Sequence, residues 1–317
     1  MELVIRSNDL FCRDSDGEHA FPGIARPVVK AHPARIRRAT TPDDAFRAIL
    51  SDCLSQMTAN AESMRAGRSV EGLHQLRIAL RRLEVALNAF GEAFHQEWFA
   101  ELRGRAKRFL QRLGPARDLD VLLTKLLDVP AEEENERGSV LRLMAALDDM
   151  REKAWKEARE CVGGPAFAAF VEDVTALAQS RLSLAPNPRL RRMARNMLDR
   201  QRARALKRGR KARGGGAPLH RFRISLKALR YASEFLGTLY PKRKVQRYLE
   251  HLRALQDYLG AVNDLTHVRA AIAWLPQDSD RYAAGLVAGW YRARQKRLLK
   301  KASKRWKKFR EITPFWI

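Results

Sequence analysis

The sequence predicts an all-α protein made of two related halves. Three observations predict it. Apolar residues recur at three- and four-residue spacing almost throughout, alternating strand-like runs are nearly absent, and one helical pattern returns in register 146 residues further on. With only 18 glycines and 13 prolines in 317 residues, the connections between helices are expected to be short.

Taken in order, the periodicity predicts helices near 43–66, 70–91, 94–113, 116–127, 137–160, 164–181, 188–212, 218–240, 242–259, 262–273 and 281–310. The breaks fall on turn residues. Gly114-Pro115 and Val129-Pro130 bound the fourth helix, and an acidic connector, Asp128 to Glu136, follows it. Gly163-Gly164-Pro165 opens the sixth helix, and Pro186-Asn187-Pro188 separates the halves. Gly214-Gly215-Gly216 with Pro218, then Tyr240-Pro241, punctuate the second half. Residues 1–40 show little periodicity and read as an N-terminal extension, a tail or a strap laid over the helices. The expected organisation is therefore extension 1–40, first bundle 41–185 and second bundle 186–317.

Composition excludes several classes. An apolar fraction of 45% argues against wholesale disorder. The apolar stretch from Tyr282 to Tyr291 is far short of the roughly 20 residues that cross a bilayer. Leu3-Val4-Ile5 is cut off by Arg6, so no signal-peptide core is expected. Cys12, Cys53 and Cys161 are odd in number and scattered, which predicts neither a disulfide framework nor a zinc site and fits a reducing cytosol. What remains is a net charge of +25, from 61 Lys and Arg against 36 Asp and Glu. Residues 189–213 hold twelve basic side chains against Asp199 alone, and 292–310 hold eleven with no acid. A single run of this kind usually means only an exposed helix face, but several on one fold point to a polyanion or to some other use of the charge.

The repeat says more than the charge. Leu73-His74-Gln75-Leu76-Arg77-Ile78-Ala79-Leu80-Arg81 returns as Leu219-His220-Arg221-Phe222-Arg223-Ile224-Ser225-Leu226-Lys227, and the same offset carries Leu113-Gly114 to Leu259-Gly260 and Asp118-Leu119 to Asp264-Leu265. It also relates Lys107 to Arg253. On a helical wheel Leu73, Leu76, Leu80, Leu83, Leu87 and Phe90 fill an arc of roughly 160° to 260°, while His74, Arg77 and Arg81 lie within about 60° of one another beside it. The second copy sorts Leu219, Phe222, Leu226, Leu229 and Leu236 from His220, Arg223, Lys227 and Arg230 in the same way. Rows of like charge at helical spacing repel. Glu84 is the carboxylate expected to relieve the first row, and none is expected on that face of the second, so an anion would relieve the cost; the alternative is that His74 and His220 are packed residues bonded to a neighbouring carbonyl. Guanidinium forks, an ammonium group and imidazole N–H groups suit phosphate oxygens.

These residues carry a resemblance. The repeated L-H-x-[LF]-R-I-x-L-[RK] helix, Leu113-Gly114-Pro115-Ala116-Arg117-Asp118-Leu119-Asp120-Val121, and Leu255-Gln256-Asp257-Tyr258-Leu259-Gly260-Ala261-Val262-Asn263-Asp264-Leu265 are similar to the signature segments of the CHAD family, the histidine-containing α-helical domain. The resemblance covers about 40–310 and implies two four-helix bundles with pseudo-twofold symmetry around a basic channel. It also implies binding of inorganic polyphosphate and presence on cytoplasmic polyphosphate granules. Carried onto this chain, the implied binding residues are His74, Arg77, Arg81 and Arg82 from the first copy and His220, Arg223, Lys227 and Arg230 from the second. Lys107, Arg253 and Arg117 are implied second-tier contacts. The chain departs from the pattern where Ala228 stands opposite Arg82 and Glu84 opposite Arg230, which predicts an asymmetric channel. Asp118 and Asp264 are expected to cap helices or hold a nearby Arg.

Three rival functions suit the sequence less well. Nucleic-acid binding suits the pI near 10.7 and the Trp306 and Phe309 interleaved in the last basic run, but no helix-turn-helix, RNP pair or zinc spacing appears. Catalysis on phosphate chains is not expected, because no P-loop or alternating-Glu triphosphatase pattern is present. A metal on the two histidines is disfavoured by their cationic neighbours, and no cofactor is expected. The terminal Pro314-Phe315-Trp316-Ile317 reads as a hydrophobic clasp in preference to a membrane contact.

Overall fold

Capping and punctuation residues set the helix ends in the computed structural model, which describes residues 27–32, 36, 41–94, 98–127, 129–131, 133–182, 189–212, 216–273 and 281–317. Among these the chain forms α1 (Pro42–Ala66), α2 (Val70–Phe94), α3 (Trp98–Arg112), α4 (Gly114–Leu126) and α5 (Glu134–Gly163), then α6 (Pro165–Gln179), α7 (Leu190–Lys211), α8 (Gly216–Leu236), α9 (Lys242–Ala273) and α10 (Arg281–Glu311). No strand occurs among the described residues. Thr41 caps α1 by accepting from the Asp44 N–H at 3.1 Å, with Pro42 in the first turn. α5 starts three residues earlier than the periodicity predicts because the acidic connector supplies a reciprocal cap, Glu133 with Glu136.

One expected break is missing. The helices read at 242–259 and 262–273 are a single helix, α9. In the first half Pro115 lacks an N–H, and its ring would clash with the carbonyl of Gln111, so Gly114-Pro115 ends α3 and begins α4. The equivalent of Pro115 is Ala261, which continues the ladder through Gly260.

The predicted core arc of α2 is buried: Leu73, Leu76, Leu80, Leu83, Leu87 and Phe90 are at most 1% exposed. On α8, Phe222, Leu226, Leu229 and Leu236 are buried and Leu219 is partly so. α2 packs between α1 and α3, and α8 packs between α7 and α9. Across the halves α1 touches α7, α2 touches α8, α4 touches α9, and α5 touches α10. The described part of the extension behaves as a strap. The Val29 backbone exchanges hydrogen bonds with the Asn60 side chain, and buried Ile36 accepts one from Thr238. The other residues of 1–40 lie outside the described residues. At the opposite terminus Phe315 and Trp316 are buried against Tyr248, and the Trp316 indole donates to Asp199 at 2.8 Å. Those two aromatics are therefore a clasp on the fold.

No single helix among the described residues is long and apolar enough to cross a membrane. α5 and α6 pass such a test only together and are bent by 48°.

Candidate anion-binding cavity

The core arcs of α2 and α8 fix which way their basic rows point. Where the two helices meet, His74, Arg77 and Arg81 of one face His220, Arg223, Lys227 and Tyr231 of the other across a cavity of about 760 Å³. α4 closes one side with Arg117, Asp118 and Lys125, and α5 adds Lys153 and Glu157. Seven Lys and Arg side chains against Asp118 and Glu157 make the lining strongly positive. A second cavity of about 590 Å³ adjoins the first and shares Arg81, Leu110, Gln111, Lys227 and Tyr231 with it.

Arg77 is held in place: its Nη1 donates at 2.6 Å to the carbonyl of Leu110, near the C-terminal end of α3, where a cation is favoured. Burial pushes its pKa down to about 10, with Arg81, Arg117 and Arg223 adding to the depression and Asp118 opposing it. Arg223 is lowered by burial and by Arg81, again against Asp118. Lys227 is pushed down to about 7, by burial first and then by Arg223, Arg81, Arg230 and Arg77. Burial, followed by Arg117, holds the His74 imidazole below its usual value despite Glu71. Each shift has the same meaning: the cations are desolvated and repel one another, so a bound anion would lower the free energy of all of them.

Asp118 is not a helix cap. The N-cap of α4 is Leu113, with no side-chain hydrogen bond, and Asp118 instead lies among Arg77 and Arg223, whose charged forms it favours. The side chain of Asp264 lies outside the described residues.

Not every residue implied by the resemblance reaches the main cavity. His74, Arg77, Arg81, Arg117, His220, Arg223 and Lys227 line it. Lys107 lines the adjoining cavity, 4.0 Å from Glu84, which also lies 3.8 Å from Arg81. Arg82 lines neither. It is 2% exposed, pairs with Asp52 at 2.6 Å, donates to Gln56 at 2.8 Å and to the His32 carbonyl at 3.2 Å, and so ties α2 to α1 and the strap. Arg230 and Arg253 are held by one carboxylate, Glu234, at 3.3 and 3.2 Å. The second basic row therefore does have a relieving acid, one turn beyond Arg230, contrary to expectation. Glu234 has no counterpart at the repeat offset, so a comparison of the two copies passes over it.

The structure also adds lining residues that the sequence does not single out. Lys125 and Lys153 enter from α4 and α5, and Arg103, Arg204, Arg208 and Arg221 line the adjoining cavity. Their sequence signal is only membership of basic helices; the packing of α4 and α5 against the repeat selects them. Among the described residues no group of three His, Cys, Asp or Glu could hold a metal ion.

Comparison with known proteins places this geometry. A crystal structure of the CHAD domain from the plant Ricinus communis superposes with a TM-score of 0.77 at 24% identity, over 90% of this chain and 98% of that one. PptA from Streptomyces chartreusis superposes with a TM-score of 0.65 at 18% identity, over 84% and 100% of the respective chains. No curated protein matches the sequence. At these identities the two structures establish a shared all-α fold. The family model for the CHAD domain matches residues 48–273, which take in α2, α8 and the cavity between them, and the chain is accordingly a member of the CHAD domain family.

Proposed function

We propose that the protein binds inorganic polyphosphate, without catalysis, in the cavity between α2 and α8. One observation carries this: the two copies of the repeated basic row converge on one cavity with too few carboxylates to neutralise them. A phosphate chain supplies closely spaced charge along a flexible, narrow backbone, and its condensed counterions are released as the cations replace them. Membership of the CHAD family supports the choice of ligand. The contacts of equivalent helices with each other, α1 with α7 and α2 with α8, are those an internal twofold axis would generate, and support two related bundles around the channel. The same proposal places the protein in the cytoplasm on polyphosphate granules.

Nucleic acid fits this space less well. The lining holds no Phe or Trp, and its one Tyr, Tyr231, is 3% exposed and offers no stacking face to a base. Long-chain polyphosphate should displace an oligonucleotide of matched charge far better than the reverse. The direct test is isothermal titration of Arg77→Ala combined with Arg223→Ala. We expect a folded protein whose affinity for polyphosphate falls at least several-fold and whose salt dependence flattens. An unchanged titration by a folded double variant would refute the site.

A further inference from the structure

We propose that the exposed face of α10 is a second anion-binding surface, which holds the stretch of a polyphosphate chain that extends beyond the cavity. The proposal rests on the cavity reading for its ligand, but the surface itself lies outside the residues 48–273 that match the family.

All eleven Lys and Arg side chains between 292 and 310 are exposed, and no acid interrupts them. None of them pairs with a carboxylate among the described residues. Elsewhere on the molecule exposed cations do find acids, as Arg253 finds Glu234. Lys296, Lys300, Lys304 and Lys308 follow one another at i,i+4, and like charges at that spacing repel.

The orientation of the helix is fixed from its other side. Ala302 and Phe309 are buried, Trp306 packs edge-on against Phe222 with centroids 4.8 Å apart, and Arg202 of α7 donates to the Arg310 carbonyl at 3.2 Å. Those contacts turn Trp306 and Phe309 inward, so between Lys296 and Arg310 the outer face offers cations without a platform for bases; Trp290, which carries Arg294 on its ring, lies before that stretch. That favours a chain of phosphates over a single-stranded nucleic acid.

The surface also starts in the right place. The Tyr291 hydroxyl donates to the Lys125 carbonyl at 3.4 Å, and Lys125 lines the cavity. From Arg292 the row runs for about 27 Å at 1.5 Å per residue, the reach of an extended polymer and not of a single ion. Two contact regions on one chain make the second engagement intramolecular, which raises affinity for long chains only.

The test uses the full-length protein carrying Lys300→Gln, Lys301→Gln, Lys304→Gln and Lys308→Gln. Tripolyphosphate and polyphosphate of about a hundred units are titrated between about 50 and 200 mM salt. We expect tripolyphosphate affinity within twofold of the parent. Long-chain affinity should fall about tenfold, and the slope of log K against log salt should drop by about 3 for four lost contacts. Unchanged long-chain affinity and slope would overturn the proposal, as would an equal loss for both ligands. Loss confined to an oligonucleotide of matched charge would also overturn it, assigning the surface to nucleic acid. The cavity reading fails differently: tripolyphosphate would then be indifferent to Arg77→Ala with Arg223→Ala, while a long-chain loss in the α10 variant would still support the α10 surface.

Discussion

One residue step turns a helical side chain by about 100°, and on α2 that step separates Arg81, which lines both cavities, from Arg82, which is buried against Asp52. At about 100° per residue Arg82 falls on a different arc from His74, Arg77 and Arg81, and it is the family pattern alone that includes it in the site. The carboxylate that takes it out, Asp52, lies on α1, and nothing in the sequence pairs the two. Lys227 is the converse case, a residue whose environment gives it a behaviour that its type does not. With a pKa of about 7 in the free protein and 10.5 for an ordinary lysine, it is half-protonated near neutrality. A phosphate chain favours the ammonium form, so binding above pH 7 must take up a proton. Affinity for polyphosphate should therefore weaken by roughly tenfold between pH 6.5 and 8.5. In Lys227→Arg, whose charge does not titrate there, the dependence should largely disappear. His74, already held below its usual value, contributes mainly below that window. The stability of the unliganded protein runs the other way. Between about 7 and 10.5 the unfolded chain binds the proton that folded Lys227 has released, so this group's contribution to stability rises with pH over that range. Parallel pH titrations of binding and of denaturant midpoint would separate the two signs, and a Lys227→Arg variant with the parent's binding profile would disprove the assignment.

At the scale of elements, most of the fold is legible because the breaks are chemical. Pro115 against Ala261 decides whether a Leu-Gly corner is a corner at all, and the two are visible in the sequence, although the strength of the repeat suggests a break in both halves. Glycine is less transparent, since its meaning depends on what approaches it. Gly209 on α7 lies where an added Cβ would stand 2.3 Å from the Trp306 ring and 2.8 Å from Phe222. It is the contact at which α7, α8 and α10 close on one another. Gly285 on α10 has nothing within 4 Å of the same position. The two substitutions should therefore have opposite signs. Gly209→Ala should destabilise by about 1–3 kcal/mol through overpacking, whereas Gly285→Ala should stabilise by about 0.5–1 kcal/mol through lower backbone entropy and better helix propensity. Urea denaturation of both variants checks the pair. A neutral Gly209→Ala would mean that α10 does not lie against α7 as described, and would remove the anchor that turns its cations outward.

For the molecule as a whole, the net charge of +25 divides between a cavity lining and an exposed surface, and salt acts in opposite ways on the stability of the free protein and on its binding of an anion. Sequence alone supplied the surplus and, through the repeat, the part of it that converges. It could not supply Lys125, Lys153 or the outward turn of α10, because those depend on how non-repeated helices pack. Unliganded, the folded state gathers like charges that the unfolded chain spreads apart, so self-repulsion is a stability cost carried by the native state. Raising sodium chloride shortens the screening length from about 10 Å at 0.1 M to about 3 Å at 1 M, which relieves that cost. The melting temperature of the free protein should therefore rise with salt. On the proposed function, polyphosphate would relieve the same repulsion by occupying the cavity, and at low salt it should raise the melting temperature further through preferential binding to the native state. Because counterion release weakens as salt increases, the two stabilising effects cannot add. The ligand-induced shift should shrink while the baseline climbs, and the free and liganded curves should converge toward 1 M. Calorimetric scans with and without long-chain polyphosphate at three or four salt concentrations would trace both curves. A free protein that gained nothing from salt would show that its cations are already neutralised within the fold, and a ligand shift that persisted undiminished would show that binding does not depend on their charge.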